Sequence, residues 1–352
     1  MAISHQEALF LHCFSLIKNE RTIYSLYHLF QGKKSSQTIQ DAHLYQLTPL
    51  FQSFPLMSRE EIERTVAGLE KSGLLVFCSK DRYGLTREGL KELERYRANG
   101  ILLPKYLNGW KYHQLTNPFW ERISLLIQCC SNLVHQHRHF IPVQNKSETL
   151  AWVKSFIREY GKARKDLSQQ LHSELLDSLS EYEGDPALFV LRLTGHKRIG
   201  LTAGQAAEQL GMDEFRYQLE FLNILHYLIG SVLANPDRFP LLKELVEEGK
   251  KSFPFTLSTE NTYRLIQQGL DVGQIAAIRG LKPSTIEDHI VEIAFHDKDF
   301  DISPYIESEK QNKILEAMSR VSAKKLKDIR ELVTDSSYFE IRLVMARSER
   351  GI

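Results

Sequence analysis

The chain has 352 residues, too many for one small hydrophobic core, and its 42% hydrophobic and 25% charged residues are typical of a globular protein rather than a disordered one. Its formal net charge of +1 excludes a protein that coats nucleic acid by charge alone, so any nucleic-acid contact must come from local patches. There is no run of ~18 apolar residues, no secretory signal pattern and no disulfide-framework spacing among the four cysteines, which predicts a cytoplasmic protein.

The first hundred residues predict several helices followed by a β-hairpin. Two Ser-x-x-Glu capping boxes, beginning at Ser4 and Ser58, each precede apolar residues at helical spacing. The helix after Ser58 stops at Gly73, and an apolar run, a polar turn and a last helix capped by Thr86 follow. This order of elements predicts a winged-helix-like domain over residues 1–100.

The segment Leu69–Leu90 resembles the winged-helix domains of bacterial regulators, which often close with a leucine, a glycine, a hairpin and an LT-x-x-G motif. Lys80, Arg82 and Tyr83 lie at the hairpin tip and are the candidate DNA contacts of the wing. The alternative is ordinary surface charge on a loop. Many winged helices bind protein, so the fold alone does not decide between DNA and protein as the partner.

Residues 101–254 predict a helical domain. Asn117 and Pro118 predict a helix start, with proline at the first helical position, where its missing N–H is harmless. Leu201–Leu228 has a two-helix layout around Gly211 that is typical of a second helix-turn-helix. Its charges are mostly acidic, which favours a packing or partner-binding role over phosphate contact.

One cluster of residues could bind a metal ion. Cys129 and Cys130 are followed by His135, His137 and His139, and thiolates and imidazoles are zinc ligands. The two cysteines lie within an apolar helical stripe, where cysteine behaves as a small hydrophobe, so we predict no metal site. The sequence also has no P-loop, G-x-S-x-G, H-E-x-x-H or C-x-x-C motif, and we predict a non-enzymatic protein without a cofactor.

The clearest pattern runs from Ser258 to Ala294. One helix ends at Gly269, a second begins after Asp271, Gly280 permits a tight turn, and a third begins near Pro283. Small residues in the second helix allow a close helix crossing. Together these features predict a C-terminal helix-turn-helix domain over residues 255–352.

This unit resembles two known kinds of helix-turn-helix. Gln268–Leu270, Gly280–Leu281 and Ser284–Ile286 are similar to the LuxR-type regulators, and more similar to the helicase-associated domain at the C-terminus of some bacterial RecQ-type helicases. Lys310–Met318 and Lys324–Ala346 resemble the tail of that helicase-associated domain, which LuxR-type regulators lack.

The whole chain is similar to the YpbB-like proteins of Gram-positive bacteria, separate polypeptides encoded beside a RecQ-type helicase and thought to act with it. The resemblance implies an accessory protein that binds a RecQ-type helicase in trans and contacts DNA independently of sequence or according to DNA structure. The candidate DNA contacts in the helix-turn-helix are Arg279, Lys282, Ser284, Thr285 and His289.

The charge pattern departs from that of the regulators. LuxR-type recognition helices commonly carry a basic residue where this chain has Glu287 and Asp288. Ser258–Ala294 contains three basic and five acidic residues, so this face suits a basic protein partner at least as well as DNA. The tail between residues 310 and 333 has seven basic against three acidic residues. Its candidate phosphate contacts are Lys324, Lys325 and Lys327, and a solvated helix face is the alternative.

Two other functions remain open, a transcription regulator and a protein-only scaffold. A regulator needs several Arg, Asn or Gln side chains directed into the major groove. The third helix offers Ser284, Thr285, Glu287 and Asp288 instead, a poor set for reading bases.

Overall fold

The computed structural model describes residues 3–160, 164–247, 257–297, 299–320 and 326–348. Within them the chain forms eighteen α-helices, one 3-10 helix and one two-stranded antiparallel sheet, so the predicted mainly α fold is confirmed. None of these helices combines the length and the apolar content that a membrane crossing requires.

The chain divides into two compact units, each made of two segments. The large unit comprises Met1–Gly32 and Thr48–Lys251, and the small unit comprises Lys33–Leu47 and Ser252–Ile352. The small unit therefore takes one of its segments from within the N-terminal region.

The first hundred residues and the middle of the chain share one unit because they pack together. The ring of Phe54 stacks on that of Phe215 with 4.1 Å between centroids, and the Gln218 side chain donates a 3.0 Å hydrogen bond to the Ser53 carbonyl. Both predicted domains, 1–100 and 101–254, thus lie in the large unit, apart from Lys33–Leu47 and the last few residues. The division into three domains remains a prediction.

The elements are numbered along the whole chain. In the large unit they are α1 (His5–Ile17), α2 (Ile23–Gln31), a 3-10 helix (Thr48–Leu50), α4 (Arg59–Lys71), β1 (Leu75–Ser79), β2 (Arg82–Leu85), α5 (Arg87–Asn99), α6 (Gly109–Val134), α7 (Ser147–Glu159), α8 (Arg164–Ser180), α9 (Ala187–Val190), α10 (Ala203–Gln209), α11 (Glu214–Ala234) and α12 (Pro240–Glu247). In the small unit they are α3 (Ser36–Leu44), α13 (Leu257–Gln267), α14 (Val272–Arg279), α15 (Pro283–His296), α16 (Ser308–Arg320), α17 (Leu326–Leu332) and α18 (Tyr338–Ser348).

The N-terminal part of the large unit has the winged-helix order of three helices (α1, α2 and α4), a hairpin and α5. Ser4 and Glu7 form the predicted capping box of α1, and Ser58 accepts a hydrogen bond from the Glu61 amide at the start of α4. The apolar faces of the three helices are buried, with Phe10, Leu26 and Leu69 at most 1% exposed. This order is interrupted between α2 and the 3-10 helix, because Lys33–Leu47 belongs to the small unit.

The hairpin is short and irregular. β1 and β2 pair antiparallel with Leu75 opposite Leu85 and Phe77 opposite Tyr83, and the register shifts after Phe77. Asp81 lies at the tip with φ of 57°, and its carbonyl accepts a 2.9 Å hydrogen bond from the Ile23 amide. This bond ties the tip of the hairpin to the start of α2.

The middle of the large unit is built around α6 and α11. The prediction that a helix starts at Asn117 and Pro118 is wrong, because α6 begins at Gly109 and carries Pro118 in its interior. Asn108 caps the helix by accepting a hydrogen bond from the Lys111 amide, so a polar cap well before Asn117 fixes its start. α6 packs against α7, α8, α11 and α12.

The predicted second helix-turn-helix consists of α10 and α11 with Gly211 between them at φ of 66°. Its second helix is a core element, because Tyr217, Leu219 and Ile224 are fully buried. The Tyr217 hydroxyl donates a 2.7 Å hydrogen bond to the Leu188 carbonyl. This burial supports the packing role that the acidic charge pattern favours.

The small unit is organised around α15, which contacts α3, α13, α14 and α18. Ile286, Ile290 and Ile293 supply its apolar core and are fully buried. From α3, His43 stacks on Phe295 with 4.2 Å between ring centroids. The third helix of the predicted helix-turn-helix is therefore the central helix of its unit.

Candidate nucleic-acid interface

The helix-turn-helix forms as the sequence predicts. Asp271 and Gln274 form a reciprocal capping box at the start of α14, and each side chain accepts a hydrogen bond from the other residue's amide. Gly280 ends α14 in the left-handed region with φ of 61°, a conformation that favours glycine. Lys282 then occupies the N-cap position of α15, without a side-chain capping bond, and Pro283 lies in the first turn.

The most exposed part of α15 is its first turn. Lys282 and Ser284 are exposed and Thr285 is half-buried, so three of the predicted contacts lie together at this helix start. Further along, Asp288 forms a 2.6 Å ion pair with Arg342 of α18. Because α18 packs against α15 there, one of the two carboxylates that would repel phosphates, that of Asp288, is neutralised within the unit. The other, Glu287, is half-buried, and burial followed by the charge of Asp288 raises its pKa.

A polar seam joins α13 to α15. Thr259 and Thr262 of α13 are fully buried, and Thr259 donates a 2.6 Å hydrogen bond to the Glu292 carboxylate. Thr262 Oγ1 lies 2.8 Å from His289 Nδ1 and also accepts a hydrogen bond from Arg279. The threonine hydroxyl therefore donates to an unprotonated His289 Nδ1.

Two predicted DNA contacts, Arg279 and His289, form hydrogen bonds within this seam. The guanidinium of Arg279 also donates to the Ser258 carbonyl at 2.7 Å and to its hydroxyl at 3.0 Å. His289 is 8% exposed, and burial, followed by the charge of Arg279, lowers its pKa to about 4. His289 is thus a neutral core residue rather than part of an open binding surface.

We expect Arg279→Ala to lower the stability of the small unit by about 1–2 kcal/mol, because it removes the charged donor that joins α13 to α14 and leaves the buried Thr262 hydroxyl without that partner. Lys282→Ala is the matched control, since it removes an exposed cation three residues away and is expected to change stability by less than about 0.5 kcal/mol. Urea unfolding of both variants tests the difference. Equal midpoints would show that the seam adds nothing.

The tail is less basic on its surface than its composition indicates. Lys310 pairs with Glu340 at 3.1 Å, Lys313 with Glu309 at 2.8 Å, and Lys327 with Glu331 at 3.8 Å. The Lys327 pair is exposed to solvent, and such exposed pairs contribute about 0–1 kcal/mol, so it does not prevent contact with a phosphate. The other predicted contacts, Lys324 and Lys325, lie outside the described residues.

The hairpin brings the predicted wing residues together. Lys80 and Arg82 are exposed on either side of Asp81, and Tyr83 is half-buried with its ring edge-on to Phe77 at 5.8 Å between centroids. Burial, followed by the charges of Glu70 and Asp81, raises the pKa of Tyr83, so this phenol stays protonated near neutral pH. Phe77 is 54% exposed, which sequence reasoning did not single out.

The cysteines and histidines considered above as metal ligands do not form a shared site. Cys129 and Cys130 lie within α6, and burial raises their thiol pKa values to about 11 and about 12. The histidines follow the end of that helix. Over the part of the chain that the structure describes, no three His, Cys, Asp or Glu side chains are arranged to hold a metal ion.

Comparison with known proteins identifies the family. A family model described as a helix-turn-helix domain matches residues 258–345. The chain is also 36% identical over 350 residues to Protein YpbB of Bacillus subtilis (strain 168), covering 99% of this chain and 98% of that protein. The chain belongs to the YpbB family. No solved structure was found to match it.

The YpbB-family match confirms the resemblance drawn from the sequence. It covers the winged-helix-like and middle regions as well as the helix-turn-helix, so both units lie within the matched length. The helix-turn-helix domain indicates a DNA-binding or helicase-associated role for this YpbB-family protein.

Proposed function

We propose that the protein is a non-enzymatic accessory factor that binds a RecQ-type helicase in trans and contacts DNA through its helix-turn-helix. The observation that carries the proposal is the open first turn of α15, where Lys282, Ser284 and Thr285 lie together in a recognised helix-turn-helix domain. The implied place of action is the cytoplasm of a bacterial cell.

The chemistry of this turn suits phosphate contact better than base reading. A lysine and two hydroxyls are donors that bind phosphate oxygens without regard to sequence. Farther along α15, Asp288 is paired and His289 is buried, so neither is available to read bases. This arrangement favours sequence-independent binding over the alternative of a transcription regulator.

An accessory role needs more than one weak surface. The exposed hairpin cations Lys80 and Arg82 lie in the large unit, whereas the open turn of α15 lies in the small unit. When one chain carries two modest contacts, the first raises the effective concentration of the second, so a near-neutral protein can still be retained on DNA beside a helicase.

We expect Lys282→Glu to weaken binding of the full chain to a random duplex or a forked DNA about 3- to 10-fold at low salt, with a smaller slope of log affinity against log salt. Lys154→Glu, which reverses an exposed charge on α7, is the matched control and should leave both quantities unchanged. Fluorescence anisotropy at several salt concentrations measures them.

The helicase half of the proposal is tested separately. The tagged chain is used to capture partners from a nuclease-treated lysate, and mass spectrometry identifies what is retained. Recovery of a RecQ-type helicase by wild type and by Lys282→Glu supports the proposal. Capture of other proteins without a helicase, together with no DNA binding, supports a protein-only scaffold, and tight binding to a single promoter supports a regulator.

A further inference from the structure

Two stretches of the large unit contain no acidic residue. Asp and Glu account for 44 of the 352 residues, yet none occurs between Glu121 and Glu148 or between Asp185 and Glu208. The two stretches together hold six Arg or Lys residues and four histidines. In a chain with a net charge of +1, this is a concentrated positive composition.

The structure brings together one loop from the middle of each stretch. The first loop, residues 135–139, follows the end of α6, and the second, residues 195–198, is anchored there because the His196 amide donates a 2.9 Å hydrogen bond to Ser131 Oγ. Gly195 and Arg198 close the second loop through a pair of backbone hydrogen bonds. A side chain at Gly195 would lie 2.9 Å from Ser131 Oγ, so glycine permits this close approach.

Three imidazole rings meet where the loops join. His135 stacks on His196 with 4.4 Å between centroids, and His137 meets His196 edge-on at 5.4 Å. The Asn132 amide nitrogen donates to the Gln128 carbonyl, so its oxygen faces His137 and accepts a 3.1 Å hydrogen bond from Nδ1. That bond fixes the ring of His137.

The surrounding cations are exposed and unpaired. Arg138, Lys197 and Arg198 are all exposed, and none of them forms an ion pair within the residues that the structure describes. Burial, followed by the nearby His135, His137 and Lys197, lowers the pKa of His196. We call these two loops, 135–139 and 195–198, the histidine patch.

We propose that the histidine patch binds the phosphate backbone of a nucleic acid, preferentially a single strand. Three unpaired cations on two converging loops supply charge for phosphates, and the partly exposed imidazole rings offer flat faces on which unpaired bases can stack. An acidic peptide could pair with the cations, but it has no bases to stack on the imidazole rings. The combination therefore favours a nucleic acid. The patch adds a second DNA surface and relies on the proposed function only in taking DNA as the partner.

The test reverses the three cations. The full chain carrying Arg138→Glu, Lys197→Glu and Arg198→Glu is compared with wild type for binding to labelled oligo-dT of about 30 nucleotides, a duplex of the same length and polyglutamate. We expect single-strand affinity to fall at least about 10-fold and the salt slope to drop by about 2, since each phosphate contact in a single strand contributes ~0.7.

The control changes the same amount of charge elsewhere in the large unit. Lys111→Glu, Lys154→Glu and Arg158→Glu are likewise exposed, so a general electrostatic effect would weaken binding equally in both triple variants. A second variant, His135→Ala with His137→Ala, retains the cations and should weaken oligo-dT more than duplex. Equal losses in the two triple variants, or binding of polyglutamate in preference to DNA, would overturn the inference.

Comparison with Lys282→Glu separates this inference from the proposed function. Loss of binding only in the histidine-patch variant supports the patch and removes DNA contact from the helix-turn-helix. Loss only in Lys282→Glu does the reverse. Additive losses support both surfaces.

Discussion

Gly109→Ala is expected to destabilise the large unit by about 3 kcal/mol and to lower its melting temperature by about 10 °C. Gly109 is the first residue of α6 and packs directly against the end of the 3-10 helix. An added Cβ would lie 1.9 Å from the Phe51 carbonyl oxygen and 3.0 Å from that of Pro49. Both neighbours are backbone atoms, so relief requires the two elements to move apart rather than a side chain to rotate.

The control is another helical glycine with the same substitution. Gly68 lies on the exposed face of α4, and a Cβ added to it would meet no heavy atom within 4 Å, so Gly68→Ala should gain about 0.5–1 kcal/mol from helix propensity. Differential scanning calorimetry of the three proteins gives the comparison. A Gly109→Ala protein that melts at or above the wild-type temperature would contradict this packing of α6.

Acidification from pH 7.5 to 5 is expected to cost the large unit about 2 kcal/mol through His226 alone. The backbone N–H of Asn108 donates a 3.0 Å hydrogen bond to His226 Nδ1, and His226 Nε2 donates to Thr116 Oγ1 at 3.1 Å. Because Nδ1 accepts and Nε2 donates, the ring is held neutral. Burial, followed by the nearby His113, lowers the His226 pKa from 6.5 to about 3.

The sign follows from proton uptake. Between pH 6.5 and 3 the unfolded chain binds a proton at His226 that the folded chain does not, so stability is complete above pH 6.5 and falls as the pH drops through this window. His5 and His12 of the same unit, whose pKa values burial lowers to about 4, act in the same direction.

Urea midpoints at pH 7.5 and 5 test this expectation. His226→Asn removes the titrating group, so the loss of stability between the two pH values should shrink by about 2 kcal/mol. His172→Asn replaces an exposed histidine on α8 and should leave the loss as large as in wild type. An unchanged pH dependence in His226→Asn would exclude this histidine as its source.

Local signals predict the helix ends well. The predicted capping box at Ser4, the helix start after Asp271 and the turn at Gly280 all occur as expected, because these depend on a few residues that are adjacent in sequence. At Ser58, the other predicted box, the serine accepts from the Glu61 amide. Pro118 shows the limit of such signals. Proline favours a helix start, but the Asn108 cap and the packing of α6 against several helices extend this helix through it.

Long-range polar contacts are not predictable in the same way. The apolar residues Tyr263, Leu265 and Ile266 of α13 are half-buried, whereas the polar residues Thr259 and Thr262 are completely buried. The polar residues on α15 that satisfy them are about 30 positions away. The available signal is the matching spacing of three, Thr259 with Thr262 and His289 with Glu292, which places each pair on one helix face.

The same limit applies to the candidate DNA contacts. Exposure of Lys80, Arg82, Lys282 and Ser284 agrees with their sequence context, because loop tips and helix starts face solvent. The internal roles of Arg279 and His289, and the meeting of two loops in the histidine patch, depend on contacts between distant segments. No single window of the sequence contains them.

The segment Lys33–Leu47 gives the polypeptide three covalent crossings between its units, after residues 32, 47 and 251. A single proteolytic cut at any one crossing therefore leaves the two units covalently joined through the remaining two crossings. A fragment that begins at residue 255 would also lack the helix whose His43 covers Phe295. The helix-turn-helix domain therefore lacks one of its packing helices when it is excised by sequence alone. In such a fragment, the surface of α15 around Phe295 would be exposed to solvent.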